Sequence, residues 1–76
     1  MTPLDLTAIL RAAIPDAEVE VTDTTGTLDH FAIRVVSDAF AGVSLLDQHR
    51  MVYRALEAPR ADGRIHALEI HTATRS

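Results

Sequence analysis

FAGVSLLDQHRMVYRAL, residues 40–56, is the stretch whose reading decides the fold. Gly42 permits a tight turn, and Ser44 is a side-chain cap for a helix that begins near Leu45. Leu45, Leu46, His49, Val52, Tyr53 and Leu56 recur with the helical period and fall on one side, which predicts a core-facing stripe. Asp47, Gln48, Arg50 and Arg54 then face away. One side of this helix is expected to pack and the other to be presented.

Immediately upstream, Ser37-Asp38-Ala39-Phe40 reads as a capped single turn, so turn and helix form a helix-turn-helix-like pair. Before the turn, Phe31, Ile33 and Val35 alternate with Ala32, Arg34 and Val36, and earlier still Ala17, Val19 and Val21 alternate with Glu18, Glu20 and Thr22. That is the period of half-buried strands. Asp23, Thr24, Thr25, Gly26 and Thr27 between them are turn chemistry, which predicts a hairpin. Residues 3–14 read as a helix with Pro3 in its first turn, an apolar stripe of Leu6, Ile9, Leu10 and Ala13, and Pro15 as its stop.

Downstream, Ala58-Pro59 and the polar residues 60–63 are expected to end the central helix and form a loop. Residues 64–74 make the last strand, with His66, Leu68, Ile70 and Thr72 on one face and Ile65, Ala67, Glu69 and His71 on the other. The expected class is α+β, in the order helix, strand, strand, short helix, helix, strand. A chain of 76 residues has room for one domain, residues 1–76.

Composition narrows the function. Hydrophobic content of 47% suits a globular fold, and no apolar run approaches the roughly 18 residues that span a bilayer. A soluble, cytoplasmic protein without membrane association is expected. With no cysteine, disulfides and thiol chemistry are excluded, and any metal ligand must be His, Asp or Glu. The net charge of -4 opposes non-specific attraction to phosphate backbones, and the seven basic residues, all arginine, are scattered. None of the common nucleophile, phosphate-loop, zinc-hydrolase or dinucleotide motifs is present, so an enzyme is not expected.

Three ordered motifs resemble the BolA family. Phe40-x-Gly42-x-Ser44-Leu45 precedes His49-Arg50, Val52-Tyr53 and Ala55-Leu56; Asp29-His30-Phe31 enters a Val35-Val36-Ser37 strand; and Ile65-His66-Ala67-Leu68 enters the last strand. The likeness runs from Leu6 to Thr74, with Gln48 standing where the family carries the first arginine of an Arg-His-Arg triplet. The resemblance implies a three-stranded sheet with helices on one face, similar to the class II KH arrangement.

The same resemblance points to sites. His66 matches the family histidine that ligates a bridging 2Fe-2S cluster shared with a monothiol glutaredoxin and glutathione; spacing alone favours a partly buried histidine with a satisfied nitrogen, and the resemblance turns the reading toward a ligand. A second ligand in the family comes from the loop between the first two strands, as histidine or cysteine. Residues 22–29 contain neither, which leaves His30 and Asp29 as candidates, with an orienting role for His30 as the alternative. His49 reads as a core-edge residue or a partner contact, and Arg50 with Arg54 as a solvated face or a contact to carboxylate or phosphate. His71 is expected to be exposed, on the strand face opposite His66.

Two functions follow as expectations. The first is an adaptor that pairs with a monothiol glutaredoxin to hold a 2Fe-2S cluster through His66 and His30, in iron-sulfur trafficking or iron homeostasis, with no cofactor in the isolated protein and a monomer or weak homodimer alone. The second is a DNA-binding regulator of stress response and morphology that uses the helix-turn-helix. Against it, the turn carries Phe40-Ala41-Gly42-Val43 rather than the Gly-x-x-Gly with which KH domains clamp phosphates, although Arg34, Arg50, Arg54 and Arg64 would allow a local patch.

Overall fold

The computed structural model describes residues 1–75. The chain runs through α1 (Pro3–Ala13), β1 (Glu18–Asp23), β2 (His30–Val36), a single 3-10 turn (Asp38–Phe40), α2 (Leu45–Ala55), α3 (Glu57–Ala61) and β3 (Ala67–Ala73). One sheet has the order β1-β2-β3, antiparallel between β1 and β2 and parallel between β2 and β3. A parallel partner obliges the chain to cross back over the sheet, and residues 37–66 do so through the turn, α2 and α3. No helix among the described residues is long and apolar enough to cross a membrane.

α1 begins at a capping box. Thr2 Oγ1 accepts from the Asp5 amide at 3.2 Å, and Asp5 Oδ2 accepts from the Thr2 amide at 2.9 Å, so two otherwise orphaned donors are satisfied. Leu6 and Leu10 are fully buried. Ala13, expected in the same stripe, is exposed, because the helix ends there and Ile14 at its cap turns into the core instead.

On the covered face of the sheet, Val21, Ile33 and Ile70 are cross-strand neighbours, as are Phe31 and Leu68. Leu6, Leu10, Val52, Leu56 and Phe40 pack onto them in one cluster. Each such large side chain contributes roughly 1.5–3 kcal/mol on burial, which is what joins helices to sheet. The other face carries exposed Glu20, Arg34, Glu69 and His71. The helices therefore lie on one side, as expected.

Three expectations are corrected. In α2, Val52 and Leu56 are buried, but Leu45 and Leu46 are 61% and 62% exposed. The packed side is turned toward Gln48, Met51 and Ala55, all half-buried. Gln48 is the cause: its Nε2 donates to the Val43 carbonyl at 2.8 Å and its Oε1 accepts from Thr72 Oγ1 at 2.6 Å. A satisfied amide takes the inward position and rolls the leucines out.

Residues 57–61, expected to be loop, form α3. Pro59 stands in the first turn, where a missing amide proton breaks no helical bond, and is buried; its carbonyl accepts from the amides of Arg64 at 3.0 Å and Ile65 at 3.2 Å. Those bonds divert the chain, so β3 begins at Ala67 rather than residue 64. The alternation breaks with it. Leu68, Ile70 and Thr72 keep the covered face, but the buried residue before them is Ile65, and His66 is exposed.

Candidate functional site

The loop between β1 and β2 is folded by Asp23. Its Oδ1 accepts from the amides of Thr25 at 3.3 Å and Gly26 at 3.0 Å, and its Oδ2 from that of Leu28 at 3.1 Å. Leu28 is held at φ 59, a left-handed conformation that costs a side-chain-bearing residue roughly 1–2 kcal/mol, and the bond to Asp23 offsets it. This turn delivers Asp29 and His30 to the start of β2.

Asp29 then joins two strands. Its main-chain carbonyl accepts from the amides of His66 at 2.7 Å and Ala67 at 3.2 Å, which fixes the start of β3 beside the start of β2. Its carboxylate lies between two imidazoles: Oδ1 is 2.7 Å from His30 Nδ1 and Oδ2 is 3.0 Å from His66 Nδ1. Thr27 Oγ1 also donates to Oδ1 and itself contacts Thr25 Oγ1 at 2.6 Å. The Thr27 hydroxyl, followed by His30, pulls the Asp29 carboxyl from its usual 3.8 down to about 2, so it is an anion across the physiological range.

The two rings are edge-on, with centroids 6.0 Å apart and planes at 89°. The side chain of His66 is 60% exposed and that of His30 39%. Among the described residues neither Nε2 has a hydrogen-bond partner, so each ring keeps one nitrogen for something outside the chain. Carboxylate-bound imidazole is a common ligand arrangement for transition metals, because the anion orients the ring and raises its basicity. Among the described residues no group of three or more His, Asp or Glu is placed to close around a metal ion. The donor set fits a contribution of imidazole to a centre completed by other ligands.

The structure brings His66, His30 and Asp29 together and leaves His49, Arg50 and Arg54 apart from them. Gln48 in the first turn of α2 bonds Thr72 near the end of β3, while Pro59 beyond α2 bonds residues just before β3, so α2 runs antiparallel to that strand. His49, half-buried, and Arg50, paired with Asp47 at 3.3 Å, lie in the half of α2 remote from His66. Arg54 is exposed beside Ala13, Ile14 and Met51 on one side and Tyr53 and Glu57 on the other. Arg34 pairs with Glu20 at 4.0 Å and Arg64 with Asp62 at 2.7 Å. His71 is exposed, 3.6 Å from Glu69.

Reading the sequence missed Thr27, which it treated as turn chemistry only. The available signal was a hydroxyl, a carboxylate and an imidazole within four residues, Thr27-x-Asp29-His30.

Comparison with known proteins bears on the family and the fold. The family model described as BolA-like protein matches residues 10–76. The DNA-binding transcriptional regulator BolA of Escherichia coli strain K12 is 39% identical over 72 residues, which cover 86% of this chain and 68% of that protein. Among solved structures, BolA1 from Arabidopsis thaliana superposes with a TM-score of 0.85 at 27% identity over 96% of this chain and 90% of that one. The BolA domain of SufE1 from Arabidopsis thaliana does so at 0.83 and 34% identity, over 96% and 91%. By sequence and by fold, the chain belongs to the BolA family.

Proposed function

We propose that this chain is an adaptor that pairs with a monothiol glutaredoxin and contributes His66 to a shared 2Fe-2S cluster, in iron-sulfur trafficking or iron homeostasis. The observation that carries the reading is the exposed His66 ring, whose Nδ1 faces the Asp29 carboxylate at 3.0 Å and whose Nε2 has no hydrogen-bond partner among the described residues. The cluster is cargo here. Since the chain has no cysteine, the glutaredoxin thiolate and glutathione would supply the sulfur ligands, and a histidine nitrogen from this chain would raise the cluster potential relative to an all-thiolate set. His30 is the second imidazole within reach of the same carboxylate.

Anaerobic cluster reconstitution of the two proteins together, followed by visible absorption and circular dichroism, tests this. The His66→Ala variant is expected to lose the heterodimer's cluster spectrum while still folding. An unchanged spectrum and cluster lifetime would remove His66 from the ligand set.

A second reading, a DNA-binding regulator, is supported by the name of the E. coli relative. The arginines argue against it: Arg34, Arg50 and Arg64 each pair with a carboxylate, and Arg34 stands on the open sheet face away from α2. Neutralised and dispersed cations release few counterions from a phosphate backbone. Mobility shift across a salt series decides, and salt-dependent binding at micromolar protein would restore this reading.

A further inference from the structure

We propose that Asp29 is a shared positioning residue whose two carboxylate oxygens hold His30 and His66 in the tautomer protonated at Nδ1, so that Nε2 is the nitrogen each ring offers outward. The inference rests on the reading of His66 as an iron ligand and adds to it which nitrogen binds and what selects that nitrogen.

An ionised carboxylate only accepts, so a ring nitrogen that faces it at hydrogen-bond distance must carry the proton. Asp29 has one oxygen for each ring: Oδ1 is hydrogen-bonded to His30 Nδ1 at 2.7 Å, and Oδ2 faces His66 Nδ1 at 3.0 Å as a charge contact, close enough that a bare ring nitrogen there would be repelled. Free histidine in water favours the opposite tautomer, with the proton on Nε2, so the carboxylate is what reverses the preference. The arrangement is held from several directions. The Asp29 carbonyl binds the His66 amide at 2.7 Å, so the main chain sets the distance between the residues before the side chains meet. The Thr27 hydroxyl, backed by Thr25 at 2.6 Å, donates to Oδ1 and restrains the carboxylate from turning. The loop between β1 and β2, which has no histidine or cysteine of its own to offer, thus acts on the metal side by aiming ligands that lie just beyond it.

The experiment uses the free, isotope-labelled protein and long-range imidazole nitrogen–proton spectra at about pH 8.5, above the titration of ordinary histidines. In the wild type, His30 and His66 are expected to show the proton on Nδ1, whereas His71, whose Nε2 faces Glu69 at 3.6 Å, shows it on Nε2. The Asp29→Asn variant keeps one accepting oxygen and replaces the other by an amide donor. One ring is therefore expected to stay as it was and the other to move its proton to Nε2. A proton on Nε2 of either His30 or His66 in the wild type overturns the proposal, and so does an Asp29→Asn variant in which both rings are unchanged. Should that variant not fold, the wild-type spectrum decides alone.

A second readout is the reduction potential of the glutaredoxin-bound cluster, expected to rise in Asp29→Asn as the imidazole loses its anionic partner. A shifted tautomer with an unmoved potential would overturn the positioning role toward iron. If no cluster loads even on the wild-type heterodimer, the reading of His66 fails while the tautomer result stands on its own.

Discussion

Asp16 and Asp29 hold opposite ends of the sheet, and each uses both carboxylate oxygens to do it. Asp16, just before β1, accepts from the Ser37 hydroxyl at 2.6 Å and the Asp38 amide at 2.9 Å, and so ties the start of one strand to the turn after another. Asp29, at the start of β2, accepts from Thr27 and His30 and faces His66. Both carboxyls are drawn below the usual aspartate range, in each case first by a hydroxyl: Ser37 for Asp16 and Thr27 for Asp29. The difference lies in the partners. Ser37 is completely buried and has nothing further to give, whereas the imidazoles around Asp29 stand open with a second nitrogen each. The same acceptor chemistry fastens one end of the molecule and presents ligands at the other.

The sharpest test of that contrast is to weaken what lies between the two ends. Phe31, 2% exposed and next to His30, is expected to cost roughly 3–5 kcal/mol as Phe31→Ala, read from urea unfolding, because a large cavity opens under the sheet. A loss below about 1 kcal/mol would mean that the core does not support the histidine end. Ser37→Ala should cost about 1–2 kcal/mol through loss of the cap on the turn and of the bond to Asp16. A negligible change would erase the distinction between a structural and a presenting aspartate.

Acid titration comes next. The carboxyls of Asp5, Asp16 and Asp29 all sit lower in the folded protein than in the unfolded chain, so the unfolded state binds more protons as pH falls. Stability is fully present above about pH 4 and is lost progressively toward the folded value of Asp29, about 2. Asp29→Asn is expected to flatten that loss, measured as unfolding midpoint against pH; an unaltered slope would show that the Asp29 contacts are not formed in solution. The smallest effect belongs to His66→Ala, whose exposed ring should leave the unfolding free energy within about 0.5 kcal/mol of wild type. A larger loss would make His66 a fastener like Ser37.

Much of the architecture was legible in the chain. Alternation marked β1 and β2, Pro3 and Pro15 bracketed α1, and Ser44 capped α2, where its hydroxyl accepts from the Asp47 amide at 3.2 Å. Local chemistry sufficed because each feature is decided within a few residues. Where the reading failed, a distant partner decided. Gln48 looks outward by periodicity and turns inward because Thr72, 24 residues away, and the Val43 carbonyl meet its amide. Pro59 reads as a helix stop and instead stands in the first turn of a new helix. His66 reads as a member of the strand alternation and leaves it because Asp29 and Pro59 claim the amides around it.

What the order of residues determined by itself was the elements other than α3, the one-sided burial of the sheet and the presence of imidazole without thiol, since periodicity and composition are properties of the chain alone. What only the tertiary structure decided was that Asp29, His30 and His66 share one place. The pairing of β2 with β3 is parallel and spans a crossover of 30 residues, from 37 to 66, so no local pattern encodes it. Once that register closes, His30 and Ala67 are opposite each other, and a single carboxylate can reach the ring that opens β2 and the ring just before β3.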